Sequence, residues 1–279
     1  MVKNLAYVRI HLSLLALLVS TALAGQAQRL LAQKSFALPA ALTQVTTNGQ
    51  GILYMADSKN QVWAYDSLGQ QLAYYSPERL LTIAQLIPKA GRKLVLFDRN
   101  NQSLITLDRF LVERQVQYLN EWYPTTYIEA AAVADDNQWW FIDINNLRLL
   151  KVDAETGREL ISISLYDVEA ENPIQVNGFW MQNNRLWLLS GSELLQFDRL
   201  GNFQQTHHLP PATRYQPTTG RLYFLLPNDT LGWLDTATQE VKQIVYPGLN
   251  RYTTLTGDLH TVYLFDEATA TPLRVLPTK

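Results

Sequence analysis

Chemistry in this chain would have to come from few side chains. Apart from His11 near the start, the histidines are His207, His208 and His260, and cysteine is absent. A zinc site needs several nitrogen or thiolate ligands converging on one point. Neighbouring residues on a strand point to opposite faces, so His207 and His208 cannot both hold one ion; they read as residues of an outer, exposed strand. Asp135-Asp136-Asn137 and Gln182-Asn183-Asn184 offer the oxygen ligands a calcium ion takes. Both tripeptides also suit tight turns between strands, and that is the preferred reading. No Gly-x-Ser-x-Gly elbow, P-loop or His-Glu-x-x-His pair occurs. No catalytic residue, metal ligand or cofactor is therefore expected.

A more regular feature is a series of aspartates. Asp57, Asp98, Asp143 and Asp266 each end an apolar run just before a polar turn: ILYMAD, KLVLFD, QWWFID and TVYLFD. Around a channel they could form a ring of carboxylates for a metal. As turn residues they would accept hydrogen bonds from backbone N–H groups and close the turn. The series breaks at Ser190 and Leu226, where RLWLLS and RLYFLL occupy the same place. The turn role is preferred.

The elements that carry these aspartates repeat. The six runs end at positions 57, 98, 143, 190, 226 and 266, at intervals of 36 to 47 residues. A second series comes after it, ending at Asp66, Asp108, Asp153, Asp198 and Asp235, with LRV at 273–275 in the sixth unit. A further strand then leads to Pro77, Pro124, Pro173, Pro210 or Pro247, and proline suits the end of an edge strand. Ahead of the runs lie β-compatible segments such as LTIAQLIP, YIEAAAVA and RYTTLT. Four antiparallel strands in about 40 residues, repeated, predict a β-propeller. The fold class is all-β, with six four-stranded blades. The array begins with a lone strand-like KSFALP (34–39) and stops in the third strand of unit six, so the N-terminal strand is expected to join the last blade and close the ring.

Composition agrees with this reading. Charged residues make up 17% of the chain, while 7 Trp, 14 Tyr and 9 Phe supply bulky side chains for packed sheets. The first 27 residues stand apart: Lys3 and Arg9 precede the apolar LSLLALLVSTALA, with small residues at 22–27. This is the pattern of a secretory signal peptide, since about 13 apolar residues are too few to span a bilayer. Residues 28–279 are then a single propeller domain without disulfides or a lipid-anchoring cysteine, expected in a bacterial periplasm or outside the cell. Losing Lys3 and Arg9 from 23 basic residues, against 25 acidic ones, makes nucleic acid an unsuitable partner. No membrane insertion is expected after cleavage, and the domain is expected to be a monomer. Asn101-Gln102-Ser103 and Asn228-Asp229-Thr230 match the glycosylation sequon, which matters only in a eukaryotic host.

The stretch LYMADSKNQVWAYDSLGQQL (53–72) resembles an NHL repeat: an apolar strand, Ala-Asp, an Asn-bearing turn, a strand ending in Tyr-Asp and a Gly turn. Asp98-Arg99-Asn100-Asn101 and Asp143-Ile144-Asn145-Asn146 keep part of the pattern, and units four and five have lost it. The resemblance implies a six-bladed NHL-like propeller and no single activity. A lyase of this type would need several converging histidines, and a lactonase-like propeller a mixed Glu/Asn/Asp calcium site in the channel. The departures from the repeat are two insertions, near Asn120-Glu121-Trp122-Tyr123 and Tyr166-Asp167-Val168-Glu169-Ala170-Glu171. Trp122 and Tyr123 beside Asp167, Glu169 and Glu171 are the expected contact surface for a protein or glycan. The function expected is that of an exported, non-catalytic interaction scaffold of the cell envelope. The alternative is a lactonase-like or sugar-binding propeller with a divalent ion in its channel.

Overall fold

A computed structural model describes residues 29–134, 138–166, 168, 170 and 172–276. The signal-like segment 1–27 and the Asp135-Asp136-Asn137 tripeptide lie outside the described residues. Six antiparallel sheets account for most of the chain. Blade one is built from Leu42–Thr47, Ile52–Asp57, Val62–Asp66 and Gln71–Tyr75, from innermost to outermost. Blades two to five repeat that order, starting from inner strands Ile83–Lys89, Ile128–Val133, Gly178–Gln182 and Arg214–Pro217. The inner strands predicted for units two and three are therefore present.

Blade six is closed by both ends of the chain. Thr254–Gly257, Thr261–Phe265 and Thr269–Leu276 supply its first three strands. Two short N-terminal strands, Arg29–Ala32 and Phe36–Ala37, pair with the third, placing Leu31 opposite Arg274 and Phe36 opposite Ala270. Closure thus begins upstream of the predicted KSFALP, in the RLLA segment. The outer strand comes in two pieces, with Gln33 still donating to Pro272 O at 2.9 Å between them.

Alternation along each strand explains where the core lies. On the second strand of blade one, Ile52, Tyr54 and Ala56 pack toward blade two, while Leu53 and Met55 pack toward blade six. On that of blade two, Leu94 and Leu96 face blade one, and Val95 and Phe97 face blade three. The result is six apolar clusters, one at each junction between neighbouring blades, the last joining blade six to blade one. Middle strands are covered on both faces, which is why their sequences are continuously apolar rather than alternating. Trp140, Trp187 and Trp233 are fully buried in this ring. At about 200 Å² of surface each and ~25 cal/mol per Å², each contributes on the order of 5 kcal/mol before entropy. Among the described residues, no helix is long and apolar enough to cross a membrane.

Candidate functional site

The inner strands surround a central cavity of about 1460 Å³, walled by blades one to five. Blades one to three carry a bulge at the start of the inner strand, between Leu42 and Gln44, Ile83 and Gln85, and Ile128 and Ala130. One extra residue there breaks the ladder and re-aims the next side chain. In blades one and two that side chain is a glutamine. Gln44 Nε2 donates to Ile83 O at 2.5 Å. Gln85 Oε1 accepts from Ala131 N at 2.8 Å, and its Nε2 donates to Phe179 O at 3.4 Å. From blade five, Gln216 Nε2 reaches Val45 O at 3.3 Å. An innermost strand leaves one edge of N–H and C=O groups without a ladder partner. The glutamines satisfy part of that edge and tie one blade to another across the cavity.

Charge in the cavity wall is positive. Lys89 sits over the Trp139 ring at 5.0 Å, and burial, aided by Lys93, holds its ammonium below the usual lysine range. Burial likewise lowers the pKa of Arg214. Among the described lining residues there is no aspartate, glutamate or histidine. Three or more His, Cys, Asp or Glu side chains grouped to hold a metal are also absent among the described residues. The described side chains of the wall offer amides, hydroxyls and two cations, with no carboxylate or imidazole, a set that does not fit a calcium or zinc centre. Gln182 and Asn183 do border the cavity, and Asn183 and Asn184 stand at φ 52° and 58°. Those angles match a two-residue hairpin turn of the primed type, which asparagine tolerates.

The aspartates hold turns. Asp57 Oδ1 accepts from Lys59 N and Gln61 N, both at 2.9 Å. Asp98 accepts from Thr82 N, Asn101 N and Asn101 Nδ2. Asp143 accepts from Asn146 N and Nδ2 and from Arg148 Nε. Asp266 accepts from Ala268 N, Thr269 N and the Thr269 hydroxyl. Burial alone would push the Asp143 carboxyl up, but the bonds from Arg148 and Asn146 outweigh it and the net shift is down. Sequence reasoning missed that Asp66, Asp108, Asp153, Asp198 and Asp235 form a second such set, each accepting two backbone N–H groups of the next turn. Their signal was present, since each ends a strand before a short polar turn.

Trp122 and Tyr123 close a short helix, Leu119–Trp122, after the outer strand of blade two. Both are half-buried and turned onto blade three, where the Tyr123 hydroxyl donates to Gly157 O at 2.6 Å. Burial, followed by the Glu159 charge, pushes the Tyr123 phenol up to about 12. Asp167, Glu169 and Glu171 lie outside the described residues. His207 is half-buried, its ring 5.8 Å from Trp187 and its Nε2 3.0 Å from Gln196 Oε1. His208, on the other face, is exposed, as is His260 in its turn. The three histidines do not converge.

No protein-family model matches this sequence, and no curated protein matches it. Solved structures do match as folds. A streptogramin B lyase is 13% identical, with a TM-score of 0.61, covering 89% of this chain and 98% of its own. The virginiamycin B lyase of Staphylococcus aureus is 12% identical, with a TM-score of 0.62, covering 89% and 100%. At that identity the likeness is one of architecture: this chain is a six-bladed β-propeller.

Proposed function

We propose that this chain is an exported, non-catalytic propeller that serves as a protein-interaction scaffold of the cell envelope. The observation that carries the reading is the makeup of the channel wall. Its described charged groups are Lys89 and Arg214, and the amides of Gln44, Gln85 and Gln216 are engaged in tying inner strands together. A general acid–base pair, a nucleophile beside its base, or an oxygen cage needs converging side chains. Export is supported by the leader-like residues 1–27, and an NHL-type repeat by the pattern of residues 53–72. The sequence-derived surface of Trp122 and Tyr123 beside Asp167, Glu169 and Glu171 is one place where a partner could bind.

The lactonase-like alternative makes a different forecast for metal. Elemental analysis of the purified protein should find no stoichiometric divalent ion, and its Tm should not respond to Ca²⁺ or EDTA. One ion per chain, with a Tm raised by Ca²⁺ and lowered by EDTA, would overturn the scaffold reading in favour of a metal-bearing channel.

A further inference from the structure

Blades one and two are separated on one face by a crevice of about 350 Å³, distinct from the channel. Its floor is apolar and buried: Ile52 and Tyr54 from the second strand of blade one. Its rim is apolar and exposed: Leu72 at 45% and Phe110 at 58%. Near them in the chain, Leu68 and Val112 are exposed too, at 88% and 47%. Single exposed apolar residues are ordinary, but a pair bordering a concave apolar floor is not.

The crevice is flanked by Arg92 and Arg109, both exposed, and the Arg109 guanidinium lies 4.6 Å from the Phe110 ring centre. Neither arginine has an ion-pair partner among the described residues. The acids of blade two are already engaged. Asp98 is buried in its turn, Asp108 pairs with Arg114 at 2.6 Å, and Glu113 pairs with Arg79 at 3.1 Å. Against those three acids, residues 83–118 carry Lys89, Arg92, Lys93, Arg99, Arg109 and Arg114, in a chain whose formal net charge is -2. Blade two is thus locally positive on a negative molecule.

We propose that this crevice docks an acidic segment of a partner protein. The segment sets one aromatic or branched aliphatic side chain between Leu72 and Phe110 and gives carboxylates to Arg92 and Arg109. The chemistry is that of a buried apolar anchor with a charged rim, where arginine binds carboxylate through two parallel N–H donors. The proposal rests on the scaffold reading above and gives it a site and a partner class.

The test uses the purified full domain and a fluorescein-labelled peptide of Asp and Glu around a central Phe-Leu pair. Its counterpart carries Lys at every acidic position. Anisotropy should show saturable binding of the acidic peptide, weakened by salt, and none of the lysine peptide. Arg92→Glu/Arg109→Glu, and separately Phe110→Ser, should each weaken binding at least tenfold with unchanged circular dichroism and Tm. These residues are on the surface, so the variants should fold; one that does not is replaced by Leu72→Ser. Binding unaffected by all of these variants, or no binding of the acidic peptide, would overturn the proposal. So would the same residues proving necessary for phosphatidylglycerol vesicle binding or for self-association in the ultracentrifuge. A partner captured equally by wild type and the double arginine variant would overturn the site while leaving the scaffold reading intact.

Discussion

Asp98 is fully buried, and its carboxylate is the acceptor for two backbone N–H groups, from Thr82 and Asn101, and for the Asn101 amide. Asp98→Ala should therefore cost about 1–3 kcal/mol, the penalty for leaving buried donors without an acceptor. Asp98→Asn, which keeps an oxygen in place, should cost less in the same urea titration. A second residue-scale forecast concerns pH. Burial, then the Arg185 and His208 charges, lowers the pKa of His207 below its ordinary 6.5, so the folded protein resists protonating it. The unfolded chain binds that proton first, and stability should fall as pH drops below 6.5 until the native imidazole also titrates. The depressed carboxylates Asp143, Asp198 and Asp266 act at lower pH: their contribution is present above 3.8 and is lost as pH falls through their native pKa values. A Tm profile from pH 7.5 to 3 should show two descents, and His207→Gln should remove the upper one. Asp98 was legible from the sequence because turn capping is local chemistry. The surroundings of His207 were not, because Trp187 and Gln196 reach it from neighbouring strands.

At the scale of elements, the turn between the third and outer strands does more than reverse the chain. In blades one, three and four it holds a glycine at positive φ: Gly69, Gly157 and Gly201, at 84°, 68° and 84°. Each lies against a side chain of the preceding blade, namely Phe36, Trp122 and Ile163. A Cβ added at Gly157 would stand 2.2 Å from the Trp122 ring. Gly157→Ala combines left-handed backbone strain with that collision, and should destabilise the domain by roughly 2 kcal/mol or more in denaturant titrations. Replacing Trp122 by Ala in the same chain should recover part of the loss, so the two changes will not add. The glycine turns were plain in the sequence, as was the extra length near Trp122. What a one-dimensional pattern did not convey is that the insertion folds onto the next blade. That contact joins residues 35 positions apart and depends on how the blades lean together. The glutamine ties and the Leu72–Phe110 crevice escaped for the same reason.

For the whole molecule, the repeat spacing and the out-of-phase ends were enough to forecast a closed ring, because apolar residues on both faces of the middle strands require a neighbour on each side. Six junction clusters satisfy that requirement, and the last two depend on the N-terminal segment: Leu30 packs into the cluster between blades five and six, and Phe36 and Leu38 into that between six and one. The RLLA strand was not legible, since four residues next to a signal-like segment carry no pattern of their own. Closure can be tested directly because the chain has no cysteine. Leu31 and Arg274 are exposed and lie opposite each other in an antiparallel pair, a separation that a disulfide spans. In the Leu31→Cys/Arg274→Cys variant, mild oxidation should form one intramolecular disulfide and raise Tm above that of the reduced form. Two thiols that stay free in the folded, oxidised protein, or that link only between molecules, would mean the ring is not closed by this segment.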